Sequence, residues 1–293
     1  MRNKLCIIIS YFGKFQNTIN PFLKSCEYNK EFQWLIFTDS DLPKIPENVR
    51  IIKMTLSDMK ALAEKKLGME ISLEKPYKMC DFRGAYGLIF ADYIKGYDFW
   101  GYGDVDLVYG NLSRFVTDEL CEHYDKIFPC GHLSFIRNTP EINRIYEKDT
   151  ANSCNYKDVF QNERSYIFDE YRGINEKMLS VRNDSVYGKF DFVDIDIIYN
   201  RLRRVDKRTM KLVFPQYLFR RYAPVNYKHQ SFYWDRGKAF VEYIDRKGKR
   251  VLEEVAYIHY RKKIDCFLNM EKTDSYYITS EGFKEKLENS NWI

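Results

Sequence analysis

No apolar run in the 293 residues approaches the roughly 18–20 that a membrane span needs. The first apolar segment, Leu5-Cys6-Ile7-Ile8-Ile9, is too short for the h-region of a signal peptide and runs straight into polar residues. The seven cysteines are odd in number and lack paired spacing, which excludes a disulfide framework and a zinc site. Reduced thiols in a cytoplasmic protein are the expectation. No Walker-type glycine loop is present, nor any zinc, RRM or helix-turn-helix signature. No long stretch is free of apolar residues, so disorder is not expected. Repeats, low-complexity tracts and linkers are absent too, and residues 1–293 are expected to form one domain. That domain would have two halves, about 1–110 and about 111–293.

What is present is apolar and aromatic. Hydrophobic residues make up 45% of the chain and aromatics 17%, with 24 Tyr and 21 Phe, enough for a sizeable core. Rings in that number suit amphipathic surfaces for sugars or nucleotides as well as ordinary core filling. The net charge of +5 is unevenly spread. Arg201, Arg203, Arg204, Lys207, Arg208 and Lys211 form one cluster, Arg220 and Arg221 a second, and Arg261, Lys262 and Lys263 a third. Such clusters attract phosphate on nucleotides, nucleic acids or anionic membranes. For 201–211, a solvated basic face is the simpler explanation.

Read in order, the chain begins with strand, helix, strand. Leu5–Ser10 is a buried strand, Phe15, Ile19, Phe22, Leu23 and Cys26 have helical spacing, and Phe32–Phe37 is a second strand. That order predicts a parallel sheet with ligands at the carboxyl ends of its strands, where Tyr11, Phe12 and Asp39 fall. A cap or turn residue is the plain alternative for Asp39. A third strand is expected at 49–53 and a helix at 56–67. Lys75-Pro76-Tyr77-Lys78 then opens a helix to about Ile94, with Lys78 and Asp81 in its first turns. Further helices are expected from Asn111, over 140–148 and up to about Val181. Strands are expected at 125–128 and 131–138. A hairpin pairs 239–244 with 251–259, and a short helix closes the chain at 280–288.

One stretch carries more chemistry than its neighbours. Phe99-Trp100-Gly101-Tyr102-Gly103 reads as a buried strand, and two carboxylates, Asp104 and Asp106, follow one residue apart. Strand alternation would send both to one face, beyond the strand tip. Two such carboxylates repel unless protons or a cation intervene, and a hard divalent ion such as Mg²⁺ or Mn²⁺ with a bound phosphate is the usual partner. A polar turn is the structural alternative. A second Asp-x-Asp, Asp194 and Asp196, lies in an apolar stretch without flanking glycines and reads as structural or acceptor-facing.

Taken together, Lys78-x-x-Asp81, a helix and Trp100-Gly101-Tyr102-Gly103-Asp104-Val105-Asp106 resemble the core of nucleotide-sugar glycosyltransferases with the GT-A fold. More closely, they resemble bacterial polysaccharide- or lipopolysaccharide-biosynthesis glycosyltransferases with Tyr-Gly-Asp-x-Asp and His-Phe/Tyr-x-Lys signatures. The second signature would be His259-Tyr260-Arg261-Lys262. The match covers roughly residues 5–263. It implies an α/β fold, a Rossmann-like mixed sheet flanked by helices with a C-terminal β-hairpin and helical extension. It also implies hexose transfer from a nucleotide sugar, most often UDP-linked, to a cell-surface glycan or lipid-linked saccharide.

Residue by residue, the resemblance places Asp104 near the ribose or the metal and has Asp106 and His259 bind Mn²⁺ or Mg²⁺. Tyr11, Phe12, Asp39, Lys78 and Asp81 would hold base and ribose, and His132 and Ser134 would contact the donor sugar. Arg261, Lys262 and Lys263 would neutralise the diphosphate. Asp169 or Glu170 would be the base that deprotonates the acceptor, with a helix N-cap as the structural alternative for that pair. A satisfied structural histidine is the alternative for His259. Peripheral contact with the inner face of the membrane is expected, and nucleic acid is not expected as a partner. Two competing activities use similar residues: metal-dependent nucleotidyl or phosphoryl transfer, and non-enzymatic nucleic-acid binding through the basic segments.

Overall fold

The computed structural model describes residues 2–42, 44–170, 172–198, 201–206, 223–224, 227–261 and 264–286. In chain order the first strands are β1 (Leu5–Ser10), β2 (Phe32–Thr38), β3 (Val49–Lys53), β4 (Phe99–Gly103), β5 (Leu107–Tyr109), β6 (Lys126–Cys130), β7 (Leu133–Arg137) and β8 (Val186–Tyr187). The later ones are β9 (Val193–Ile198), β10 (Arg201–Asp206), β11 (Ala223–Pro224), β12 (Lys228–Asp235), β13 (Lys238–Ile244), β14 (Arg250–Val255), β15 (Tyr257–His259), β16 (Ser275–Thr279) and β17 (Gly282–Glu285). The longest helices are α1 (Ile19–Glu27) and α2 (Leu56–Leu67).

Two compact units are present. The first comprises residues 1–14, 31–104 and 116–189. Its seven-stranded sheet has the order β3-β2-β1-β4-β7-β6-β8. β3, β2, β1 and β4 run parallel, and β7 is antiparallel to β4 and β6. This is the mixed α/β sheet expected from the sequence. β1 is apolar at almost every position because both faces are covered, as a central parallel strand requires. The aromatic rings of β4 supply much of the core, with Trp100 and Tyr102 fully buried. Gly101 lies between them because a Cβ there would meet the carbonyl oxygen of Ser134 on β7 at 2.6 Å.

α2 stops and starts where the expectation puts it, for a visible reason. Thr55 and Asp58 form a reciprocal capping box at its N-terminus, and Gly68 ends it in the left-handed conformation at φ 67°. The helix expected from Lys78 to about Ile94 is instead a broken succession. It runs through a 3₁₀ turn (Pro76–Lys78), a helix (Met79–Phe82), a second 3₁₀ turn (Arg83–Ala85) and a helix (Tyr86–Ile89). Gly84 and Gly87 weaken helix continuity, and at Gly87 the backbone comes so close to Asn143 that a Cβ would lie 2.2 Å from its Oδ1. The helical stretch expected over 140–148 is a 3₁₀ helix at Ile142–Glu147.

The second unit comprises residues 15–30, 105–115 and 190–293. Its two sheets have the orders β11-β10-β9-β15-β5 and β14-β13-β12-β16-β17. α1 packs on β5 through Phe22 and Tyr109, whose ring centroids lie 5.6 Å apart. Asn29, just after α1, bonds the Gly110 carbonyl and the Leu112 amide. The expected hairpin forms between β13 and β14, turning on Asp245-Arg246-Lys247-Gly248-Lys249. Its second arm is shorter than expected, because the chain leaves that sheet at Ala256 and β15 joins the other one. The helix expected at 280–288 is also corrected: residues 275–285 are the antiparallel pair β16 and β17. The alternation of Ser275-Tyr276-Tyr277-Ile278-Thr279 suits a strand, and Gly282 closes the turn at φ 124°. Residues 287 and 288 lie outside the described residues.

The seven cysteines are free. Among the described residues no helix is long and apolar enough to cross a membrane.

Candidate active site

Asp104 and Asp106 do not share a strand. β4 ends at Gly103 and β5 begins at Leu107, so both carboxylates sit in the bend between strands of two different sheets. The alternation argument therefore does not apply, and each aspartate is placed by its own partners.

In the first unit the organising group is Arg83, a residue that its sequence context does not single out. Its guanidinium bonds Asp104 Oδ1 through Nη2, and through Nη1 both Asp169 Oδ2 at 2.9 Å and the Gly131 carbonyl at 2.8 Å. It stands 5.6 Å over the ring of Tyr102, whose hydroxyl donates to the Asp169 carbonyl. Glu170 accepts the Gly131 amide. At Gly131 a Cβ would lie 2.4 Å from Asp169 Oδ2, so any larger residue would have to displace that carboxylate. Asp169 and Glu170 are both buried, at 3% and 6% exposure. Burial raises the Asp169 pKa to about 7; Arg83 opposes the rise, and Glu170 and Asp104 add to it. Below them lies Lys126, fully buried and bonded to Asn175 Oδ1, with burial lowering its pKa to about 8. The helix-cap alternative for Asp169 and Glu170 is not what the fold uses: Gly173 caps the helix Ile174–Leu179, with Glu176 accepting its amide.

In the second unit the organising group is His259, the last residue of β15. β15 pairs antiparallel with β5, so His259 lies opposite Leu107, next to Asp106. It pairs parallel with β9, so His259 also lies opposite Asp194. The imidazole Nε2 stands 3.6 Å from Asp106 Oδ2, and Nδ1 3.1 Å from Asp194 Oδ1. Burial disfavours a charged imidazole, but Asp106 and Asp194 outweigh it, and the His259 pKa rises to about 10. A cation is therefore welcome between these carboxylates. The amide of Tyr260 bonds the Asp106 carbonyl and fixes that backbone. Arg261 turns to Asp194 and Asp196, so the second Asp-x-Asp, expected to be structural or acceptor-facing, lies beside the histidine.

The other sequence candidates fall into three groups. Lys78 and Asp81 are fully engaged with the protein. The ammonium bonds Asp81 and the carbonyls of Val159 and Arg164, while Asp81 accepts the amides of Tyr166 and Phe168. Together they anchor the segment leading to Asp169. Ser134 is buried and donates to the Phe128 and Cys130 carbonyls across an irregularity in β6, and Phe12 is buried in the core. Nearer the strand tips, Asp39 is exposed and accepts the Gly13 amide, Tyr11 is half-buried and bonds the Lys14 carbonyl, and His132 offers its carbonyl to the Asp104 amide. Lys262 and Lys263 lie outside the described residues, as do Lys207, Arg208, Lys211, Arg220 and Arg221. Of the first basic cluster, Arg204 is paired with Glu253.

A family model described as "Family of unknown function (DUF6625)" matches residues 7–287. No curated protein matches the chain. Among solved structures, the chain is similar to three glycosyltransferases. For the galactosyltransferase LgtC in complex with donor and acceptor sugar analogs, identity is 12% and the TM-score 0.40, covering 89% of this chain and 88% of that one. For mouse xyloside xylosyltransferase 1 in its apo form, identity is 6% and the TM-score 0.38, covering 66% and 87%. For the glycosyltransferase GlyE of Streptococcus pneumoniae TIGR4, identity is 11% and the TM-score 0.32, covering 65% and 46%. Likenesses at this level carry no argument of their own, and the activity is argued from the residues.

Proposed function

We propose, for a chain that belongs to the DUF6625 family of unknown function, a metal-dependent glycosyltransferase that moves a hexose from a nucleotide sugar to a glycan acceptor. The observation that carries this reading is His259, whose Nδ1 is held by a carboxylate while Nε2 faces Asp106 Oδ2 at 3.6 Å. A histidine oriented in this way, beside a buried carboxylate, is a donor set that divalent metals accept. Asp106 and His259 would hold Mn²⁺ or Mg²⁺, with Asp104 as the further carboxylate of the motif. The ion, when bound, offsets the negative charge that develops on a departing nucleoside diphosphate.

The chain's own residues supply the rest. Asp169 or Glu170 takes the proton of the attacking hydroxyl, and an Asp169 pKa near 7 suits a base at neutral pH. Arg83 keeps Asp169 and Asp104 oriented from one buried guanidinium. Tyr11 and Asp39, at the carboxyl ends of parallel strands, would meet the base and ribose. Lys262 and Lys263 follow the histidine closely enough in sequence to meet the diphosphate. A UDP-linked donor and a surface polysaccharide or lipid-linked acceptor complete the reading. Cysteines without disulfides suit cytoplasmic residence, and the basic 201–221 region suits contact with an anionic membrane face, which liposome flotation at low salt tests.

The decisive measurement is calorimetric binding of UDP with and without Mn²⁺, for the native chain and for Asp106→Ala. Metal-dependent binding that the substitution abolishes is expected. Metal-independent binding, or equal binding by both proteins, overturns the metal site; no binding of UDP or of other nucleotides overturns the reading itself.

A further inference from the structure

Asp194, the carboxylate on His259 Nδ1 and the first aspartate of the second Asp-x-Asp, is given no role of its own above, yet it is among the best-held groups in the second unit. Asp194 is 2% exposed. Arg261 grips it with two nitrogens, Nε to Oδ1 at 3.0 Å and Nη2 to Oδ2 at 2.8 Å, and reaches Asp196 Oδ2 with Nη1 at 3.4 Å. A two-pronged contact between planar groups fixes orientation as well as distance. Arg261 holds φ at 57°, a conformation that costs a non-glycine residue energy and persists where the surroundings demand it. Asp194 Oδ1 in turn lies 3.1 Å from His259 Nδ1, across the parallel pairing of β9 and β15.

We propose that Asp194 is a positioning residue for His259, and that Arg261 serves by fixing Asp194 rather than by neutralising the diphosphate. A carboxylate on Nδ1 sets the ring orientation and the tautomer, which leaves the Nε2 lone pair to face the metal beside Asp106. The inference rests on the reading of Asp106 and His259 as metal ligands and adds the two residues that aim the histidine.

The test is Mn²⁺ uptake with UDP present, followed by loss of the free-ion EPR signal, for native protein, Asp106→Ala, Asp194→Asn and Arg261→Met. Circular dichroism checks the fold of each. Asp194→Asn keeps the shape and removes the charge, so Mn²⁺ affinity is expected to fall about 10- to 100-fold. Arg261→Met should lower Mn²⁺ affinity less and leave UDP affinity at saturating Mn²⁺ unchanged; it also carries the test if Asp194→Asn does not fold. Two results overturn the inference alone: native affinity in folded Asp194→Asn while Asp106→Ala is defective, or an Arg261→Met variant weak for UDP but normal for Mn²⁺. Absence of uptake by the native chain overturns the metal reading, and this inference with it.

Discussion

Asp169 concentrates the electrostatics of the first unit in one carboxyl group. Its ordinary pKa of 3.8 rises to about 7 because burial disfavours the anion more than Arg83 favours it. The folded chain thus holds a proton that the unfolded chain gives up above pH 4. Stability from this group is present at low pH and is lost as pH climbs from about 4 through about 7. Substituting Asn removes the titration but keeps the shape. Between pH 5 and pH 8, native protein is expected to lose on the order of 2 kcal/mol relative to Asp169→Asn, read from urea midpoints. A constant difference across that range would show that Asp169 does not hold its proton. Gly131 belongs to the same argument, because a carboxylate this enclosed leaves its neighbour no room for a side chain.

Elements were legible where a local code wrote them. α2 is bounded by Thr55, Asp58 and Gly68, three residues whose roles need no tertiary partner. Thr55→Ala should therefore cost about 1 kcal/mol, measured as a shift in urea midpoint with unchanged m-value; an unshifted midpoint would deny the capping box its role. β1, β2 and β3 were legible for a similar reason, as short apolar runs between polar breaks. The stretch after Lys78 was not, because its glycines answer to residues far along the chain, Gly87 to Asn143 and Gly84 to Ile174 and Tyr146. The site divides in the same way. Asp106 and His259 stand out in the sequence by motif, whereas Arg83 and Asp194 take their meaning from partners brought by register and packing. Asp194 lies 65 residues from His259, and only the pairing of two strands joins them.

At the scale of the whole molecule, the proposed contact with an anionic membrane face rests on the basic clusters of the sequence. Each Lys or Arg near an anionic bilayer contributes about 1 kcal/mol, and the effect fades beyond a Debye length of roughly 10 Å at 0.1 M salt. Flotation with anionic liposomes is expected at low salt and should be lost by about 0.5 M salt; no flotation at low salt would remove membrane contact from the proposed function. Length carries a separate consequence, which follows from how His259 is delivered. The histidine is held by the register of β15 against β9 and β5, and a slip of one residue would turn it to the opposite face. Insertions at the exposed 246–249 turn of the hairpin lie outside both pairings and are expected to leave the histidine in place. The same turn is where an affinity tag or fluorophore can be grafted without disturbing the histidine.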